Sequence, residues 1–305
     1  MSAPKEPDAP ISAAQKQTAD AFGFKWAKRE TYESPAVADR MRAWLFERYC
    51  EGDPEVLDGW LAGGRKTIVD AGCGAGHAGM LFFEHHLDAH LYVGVDVSSA
   101  VHVARRRFAE AGRAGRFVRC DLNHLPLADG TVDLILSEGV LHHTDDTEQA
   151  LVNLSRALRP GGRFIFYVYR KKSVIREFVD DYLREALAGL DDEAAWEALM
   201  PLTRLGKALG DLDVEIEIPE DIPLLGIEAG RMQLQRFIYW HICKMFHRAD
   251  HTIGELNHIN FDWYRPSNCH RHTEEEVRGF CASAGLEIER LRVEPAGITV
   301  VARRA

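Results

Sequence analysis

The chain has 305 residues, 46% of them hydrophobic and 28% charged, and a formal net charge of -10. That is apolar material for a large core, in one domain with insertions or a large domain plus a smaller one. The acidic balance lacks the basic footprint that neutralises phosphates, so no nucleic-acid partner is expected. The opening stretch MSAPKEPDAPISAAQKQTAD holds no apolar signal core. Nowhere does a run reach the ~18 apolar residues that span a bilayer. A soluble, cytoplasmic protein with no membrane partner is therefore expected. Its cysteines, Cys50, Cys73, Cys120, Cys243, Cys269 and Cys281, stand without CxxC spacing and are expected reduced.

In chain order, the Pro-, Ala- and Asp-rich residues 1–18 read as a mobile tail. Residues 19–64 read as an N-terminal helical segment, in which Val37, Met41, Trp44 and Leu45 recur at helical spacing. Over residues 65–171 short β-branched runs alternate with amphipathic segments. Strands are expected at 67–70, 91–96, 116–120, 132–137 and 163–169, and helices near 76–86, 98–111 and 146–158. This alternation calls for an α/β fold with a parallel sheet and right-handed crossovers. Residues 172–260 break the pattern and read as a mostly helical insertion or lid, with a Pro-containing break at 217–225. Residues 261–305 return to the core sheet through two strands, 286–293 and 297–303, preceded by a helix whose Thr273 and Glu276 have capping-box spacing.

The stretch TIVDAGCGAGHAGM, 67–80, places small residues directly behind the first strand. In an open parallel sheet ligands sit at the carboxyl ends of the strands, and a glycine turn there lets a ligand reach the backbone. Tight strand-to-helix turns also use glycine for packing, so the loop alone decides little. Asp96 closes the next strand, LYVGVD, where a carboxylate can accept both ribose hydroxyls. Asp70 precedes the glycines; an acid there repels pyrophosphate and suits a cationic or ammonium group.

Four blocks, VDAGCGAG at 69–76, GVDVS at 94–98, CDLNHLPLADGTVDLILSEGVLHH at 120–143 and LRPGGRFIF at 158–166, stand in order. Together they resemble the class I S-adenosylmethionine (SAM) dependent methyltransferases, in the small-molecule, methyltransferase type 11-like group. The resemblance covers residues 65–169 and, loosely, the C-terminal end. It implies a doubly wound, mostly parallel seven-stranded Rossmann-like sheet, SAM as cofactor, and methyl transfer to an O, N or S atom of a small-molecule acceptor by in-line displacement. It also implies that Asp70 and the backbone of Gly72, Cys73, Gly74 and Gly76 surround the amino acid part of SAM. Asp96 is similar to the ribose ligand and Val97 to an adenine wall. Asp121 resembles the acid that takes the adenine amino group, with Leu122 giving a backbone N–H. Ser137 and Glu138 fall near the methionine end. For Asp121 the alternative is a turn cap.

Methyl transfer from a sulfonium needs positioning and exclusion of water, and a hydroxyl acceptor also needs a base. His142 and His143, just after the fourth strand, are the candidates, His143 as base or orienting group or, alternatively, as a structural hydrogen-bonding residue. The segment FGFKW, 22–26, and Tyr32 resemble an entry segment whose aromatics fold over the cofactor, with Trp26 or Tyr32 closing the site or, alternatively, forming a hydrophobic plug against the sheet. In FDWYRPSNCHRH, 261–272, Trp263, Tyr264, His270 and His272 read as a substrate-pocket wall, or equally as packing. The histidines and cysteines of 241–272 match no zinc framework, so no metal is expected. A methyltransferase of RNA or protein, or a SAM-binding sensor without turnover, are the alternatives. The acidic charge counts against RNA, and SEGVLHH stands where amide- and base-nitrogen methylating branches carry an NPPY-type block. Monomer and homodimer both remain open.

Overall fold

The structure, a computed structural model, describes residues 11–125 and 127–305. The chain begins with α1 (Ala13–Ala27), α2 (Pro35–Cys50) and α3 (Pro54–Leu61), then alternates β1 (Thr67–Ala71), α4 (His77–Phe82), β2 (Leu91–Asp96), α5 (Ala100–Glu110), β3 (Arg116–Arg119), β4 (Val132–Glu138), α6 (Thr147–Ala157) and β5 (Leu158–Tyr169). There follow α7 (Val174–Leu187), α8 (Asp192–Asp211), β6 (Glu215–Ile218), β7 (Gly230–Gln233), α9 (Leu234–His241) and α10 (Ile253–Tyr264). The C-terminal end is α11 (Glu274–Ser283), β8 (Leu286–Val293) and β9 (Gly297–Arg304).

Two compact units result, one of residues 11–27, 37–170 and 268–305, the other of residues 28–36 and 171–267. In the first, a seven-stranded sheet runs in the order β3-β2-β1-β4-β5-β9-β8, parallel except for β9, which pairs antiparallel with both β5 and β8. This is the doubly wound, Rossmann-like sheet expected. The strand order reverses between β1 and β4, and that switch places the loops after β1, β2 and β4 around one crevice. Alternation along the strands builds two cores. Val69 and Ala71 of β1, Phe164 and Phe166 of β5, and Val300 of β9 face α6 and α11; Ile68, Leu134, Leu136, Ile165 and Val301 face α2, α3 and α5.

Local chemistry sets the helix starts. Asp53 caps α3 with Pro54 behind it, Asp146 accepts from Gln149 N to cap α6, and the capping box of Thr273 and Glu276 opens α11. Of the tail expected over 1–18, residues 1–10 lie outside the described residues and the chain enters α1 at Ala13. The helix expected over 76–86 stops at Phe82, where Phe82 and Phe83 turn into the core.

The second unit is not all helical. Glu215-Ile216-Glu217-Ile218 alternates with period two and pairs antiparallel with 230–233, a signal too short to stand out beside long helical runs. Residues 28–36 join this unit through Thr31 Oγ1, 2.7 Å from His258 Nδ1, and Ser34 Oγ, which donates to Glu255 at 2.6 Å. Its interior is strongly polar. Arg176 and Asp180 of α7, each about 1% exposed, form an ion pair at 3.1 Å. Asp180 also accepts from Trp263 Nε1 at 2.8 Å and Tyr264 OH at 2.9 Å. Thr203 of α8 donates to Asn257 at 2.7 Å and accepts from Asn260 at 2.8 Å. No helix among the described residues is long and apolar enough to cross a membrane.

Asp180→Ala would strip a buried guanidinium of its carboxylate and remove the acceptor of Trp263 Nε1, while Tyr264 OH keeps the Lys244 carbonyl at 2.9 Å. Chemical denaturation should show a loss of about 3–5 kcal/mol; a midpoint at the wild-type value would show that Asp180 does not organise this unit.

Candidate active site

The loop after β1 is held by its own main chain. Gly72 N and Cys73 N both donate to Val95 O of β2, at 2.7 and 2.8 Å. Gly72 (φ +83°) and Gly74 (φ +51°) adopt left-handed backbone, and neither has room for a Cβ: at Gly72 it would lie 2.2 Å from a Val140 methyl, at Gly74 2.8 Å from Trp26 Nε1. Val140 and the Trp26 indole of α1 therefore rest directly on the loop. Gly23 of the same helix comes close to Ser99, and Lys25 lies 4.1 Å over the Trp26 ring.

Asp96 ends β2 at this loop. Its Oδ2 accepts from Gly74 N at 2.7 Å, and its Oδ1 from Ser98 N and Ser98 Oγ at 2.8 and 2.6 Å. Burial pushes its pKa up against the pull of those donors. Three donors leave about one of the four acceptor positions of a carboxylate for a ligand. Asp70 is buried, and its Oδ2 accepts from Tyr92 OH at 2.5 Å. Burial first, then the nearby charges of Asp96 and Glu138, push its carboxyl up to about 7, against the hydrogen bond from Tyr92.

Asp121 caps the 3₁₀ turn Leu122–His124, accepting from Asn123 N at 3.0 Å, with His124 Nδ1 3.2 Å from its other oxygen. Leu122 is buried in the core and Val97 is half-buried. Ser137 Oγ donates to Ala71 O at 3.0 Å, tying β4 to β1. Glu138 accepts from Tyr49 OH and, at 3.3 Å, from Arg48, whose guanidinium lies between the Trp44 and Tyr167 rings. Glu138 is thus part of the anchor of α2 on the sheet.

The histidine pair lies in the 3₁₀ turn Leu141–His143 after β4, and both side chains are buried. His143 Nδ1 is 2.6 Å from the carbonyl of Asn268. A carbonyl only accepts, so Nδ1 carries the hydrogen and Nε2 is the basic nitrogen. His142 is the opposite tautomer: its Nδ1 accepts from Tyr169 N at 3.3 Å, and its ring stacks on Tyr169 at 3.7 Å. Phe22 of α1 meets the His143 ring edge-on at 4.9 Å.

His270 N donates to His142 O at 2.8 Å, and His270 Nε2 lies 3.0 Å from Thr144 O. His272 N donates to Tyr169 O at 2.9 Å, with its Nε2 3.1 Å from Thr147 Oγ1. Both histidines brace the turn that carries the pair. Tyr32, Trp263 and Tyr264 belong to the second unit, where Tyr32 lies 5.3 Å from the His258 ring and the other two donate to Asp180. Among the described residues no three His, Cys, Asp or Glu side chains form a group that could hold a metal. Sequence reasoning gave no role to Asn268, Tyr169 and Val140, and read Phe22 only as part of the entry segment. Asn268 acts through its main chain, which leaves no residue-type signal.

Residues 69–166 match the family described as a methyltransferase domain. The chain carries a methyltransferase domain over these residues. Similar proteins include the ubiquinone/menaquinone biosynthesis C-methyltransferase UbiE of Desulfotalea psychrophila, 29% identical over 45% of this chain and 57% of that one. An O-methyltransferase of Aspergillus nomiae is 34% identical over 32% of this chain and 44% of its own length. A malonyl-[acyl-carrier protein] O-methyltransferase of Serratia marcescens is 29% identical over 47% and 51%. The chain thus spans about half the length of these relatives. Magnesium protoporphyrin IX methyltransferase of Synechocystis, solved with bound SAM, has the same fold, with a TM-score of 0.50 at 15% identity over 98% of this chain and 100% of that one. SAM is the cofactor that the sequence resemblance implies. The residues present fit it: a glycine turn without Cβ obstruction and a buried carboxylate with acceptor capacity at its side.

Asp70 gives the domain a pH dependence. Its folded pKa of about 7 lies above the ordinary 3.8, so the stability tied to it is complete below that ordinary value and is lost as pH rises through about 7. Asp70→Asn should flatten that slope, gaining on the wild type by as much as ~4 kcal/mol between acid and mildly alkaline pH. Parallel urea denaturation curves at all pH values would refute this.

Proposed function

We propose that this protein transfers the methyl group of SAM to a nucleophilic oxygen, nitrogen or sulfur atom of a small-molecule acceptor by in-line displacement. The observation that carries the reading is the state of His143: a buried imidazole at the end of β4, hydrogen on Nδ1, basic Nε2. When bound, SAM supplies a methyl carbon made electrophilic by its sulfonium. The main chain of residues 72–76 and the Asp96 carboxylate bind the cofactor, with Asp121 and Leu122 on its adenine side. Trp26 of α1, resting on Gly74, excludes water from the loop. His143 Nε2 takes the proton of an acceptor hydroxyl as it attacks; for an amine or thiolate the same imidazole only orients.

The formal charge of -10 favours a compact acceptor over a polyanion. Two of the relatives are named O-methyltransferases, which makes oxygen the first atom to try, and UbiE, named a C-methyltransferase, keeps carbon in the panel.

The direct test is release of S-adenosylhomocysteine from SAM with phenols, carboxylates, amines, thiols and activated-carbon acceptors, with mass spectrometry for a product heavier by one methylene. Release with one class identifies the attacking atom. Tight SAM binding without release across the panel would move the assignment to a macromolecular acceptor or a sensor. With a hydroxyl acceptor, His143→Ala should lower kcat by roughly 10²–10⁴-fold at unchanged SAM affinity, and equal turnover across pH would remove it as the base. Asp96→Ala should weaken SAM binding by about 1–3 kcal/mol in calorimetry, and an unchanged affinity would exclude Asp96 as the ribose ligand.

A further inference from the structure

We propose that Asn268 is a positioning residue for His143: clamped by α1 and Asp145, its main-chain carbonyl keeps the imidazole hydrogen on Nδ1 and the lone pair on Nε2. The proposal rests on the methyl-transfer reading above, in which that lone pair receives the acceptor's proton.

Asn268 is 7% exposed, and its main-chain N–H and its side-chain NH2 are both held. Its N–H donates to Thr18 Oγ1 of α1 at 3.0 Å. Its side-chain amide donates to Asp145 Oδ1 at 2.8 Å and to Gln15 Oε1 at 3.3 Å. Asp145 Oδ1 accepts in addition from Ser12 Oγ at 2.6 Å, and Ser12 Oγ takes Gln15 N at 2.9 Å, so the first turn of α1 closes the ring of contacts. The carbonyl left over points at His143 Nδ1 at 2.6 Å.

Turning the imidazole to its other tautomer would set a nitrogen lone pair against a carbonyl lone pair in a buried place. Only movement of Asn268 could permit that, and the clamp opposes it. Beyond Asn268 the chain continues as a brace, through His270 to the His142 carbonyl and through His272 to the Tyr169 carbonyl. The two imidazoles are thus fixed oppositely and by different groups, His143 by the Asn268 carbonyl and His142 by the Tyr169 N–H.

The clamp also links the base to the cofactor loop. Helix α1 carries Thr18 and Gln15 on Asn268, Phe22 on His143 and Trp26 on Gly74. One rigid element thus seats the glycine loop and orients the imidazole together, and neither arrangement is complete without the other.

The tautomers can be read directly from long-range ¹H–¹⁵N correlation spectra of the full chain labelled at histidine nitrogen, at mildly alkaline pH where free imidazole is neutral. Neither SAM nor an acceptor is needed. The wild-type spectrum should show a protonated Nδ1 for His143 and a protonated Nε2 for His142. Thr18→Val and Asp145→Ala each remove one arm of the clamp, and Asp145 is exposed, so its replacement leaves the core intact. In both variants His143 should become a mixture of tautomers while His142 keeps its wild-type signature. With a hydroxyl acceptor, kcat should fall about tenfold or more at unchanged KM. A wild-type His143 protonated on Nε2 overturns the proposal whatever the variants do. So does a His143 signature that stays wild-type in both variants. Either result leaves the methyl-transfer reading standing, because that reading is decided by S-adenosylhomocysteine release and by His143→Ala.

Discussion

The carboxylate of Asp96 accepts from the main chain of Gly74 on one side and from Ser98 on the other, and so locks the turn after β1 to the turn after β2. With Gly72 and Cys73 both donating to Val95 O, the glycine loop is held in a left-handed path that no other residue could follow without meeting Val140 or Trp26. That path brings main-chain groups to the carboxyl edge of the sheet, at the reversal between β1 and β4. The packing of α1 across the loop and the reach of the β4 turn toward it both follow from this constraint.

The chemistry next to the loop is decided by hydrogen bonds at carbonyls. His142 and His143 are adjacent, buried and of identical chemistry, yet one accepts at Nδ1 and the other donates from it. The difference comes from what faces each ring, an amide N–H of β5 in one case and the Asn268 carbonyl in the other. A protein that needs one basic imidazole nitrogen at a defined point can obtain it this way without an acidic partner, and a carbonyl, unlike a carboxylate, does not raise the charge of an already acidic chain.

The second unit follows a different logic. Asp180, with Arg176, Trp263 and Tyr264 around it, and Thr203, with Asn257 and Asn260, give it a polar, hydrogen-bonded interior. Such networks tolerate few alternatives, because a missing partner leaves a buried polar group unsatisfied. Trp263 and Tyr264, which read in the sequence as pocket wall or packing, are tied to this interior by their polar ends.

From the sequence alone the sheet, its crossovers, the glycine turn, Asp96 and the methyltransferase resemblance were legible, because each rests on a local signal: strand alternation, residues without side chains, an acid at a strand end. The β6–β7 hairpin was not, since four alternating residues cannot compete with the helical runs around them. Asp70 and Glu138 could be placed at strand ends but not oriented; only packing turned Asp70 to Tyr92 and Glu138 to Tyr49 and Arg48. His143 could be named as a base but not assigned a tautomer, for the deciding group is the main-chain carbonyl of a residue 125 positions away. Every residue has such a carbonyl, so its identity carries no trace of the role; tertiary structure alone selects which one faces the imidazole.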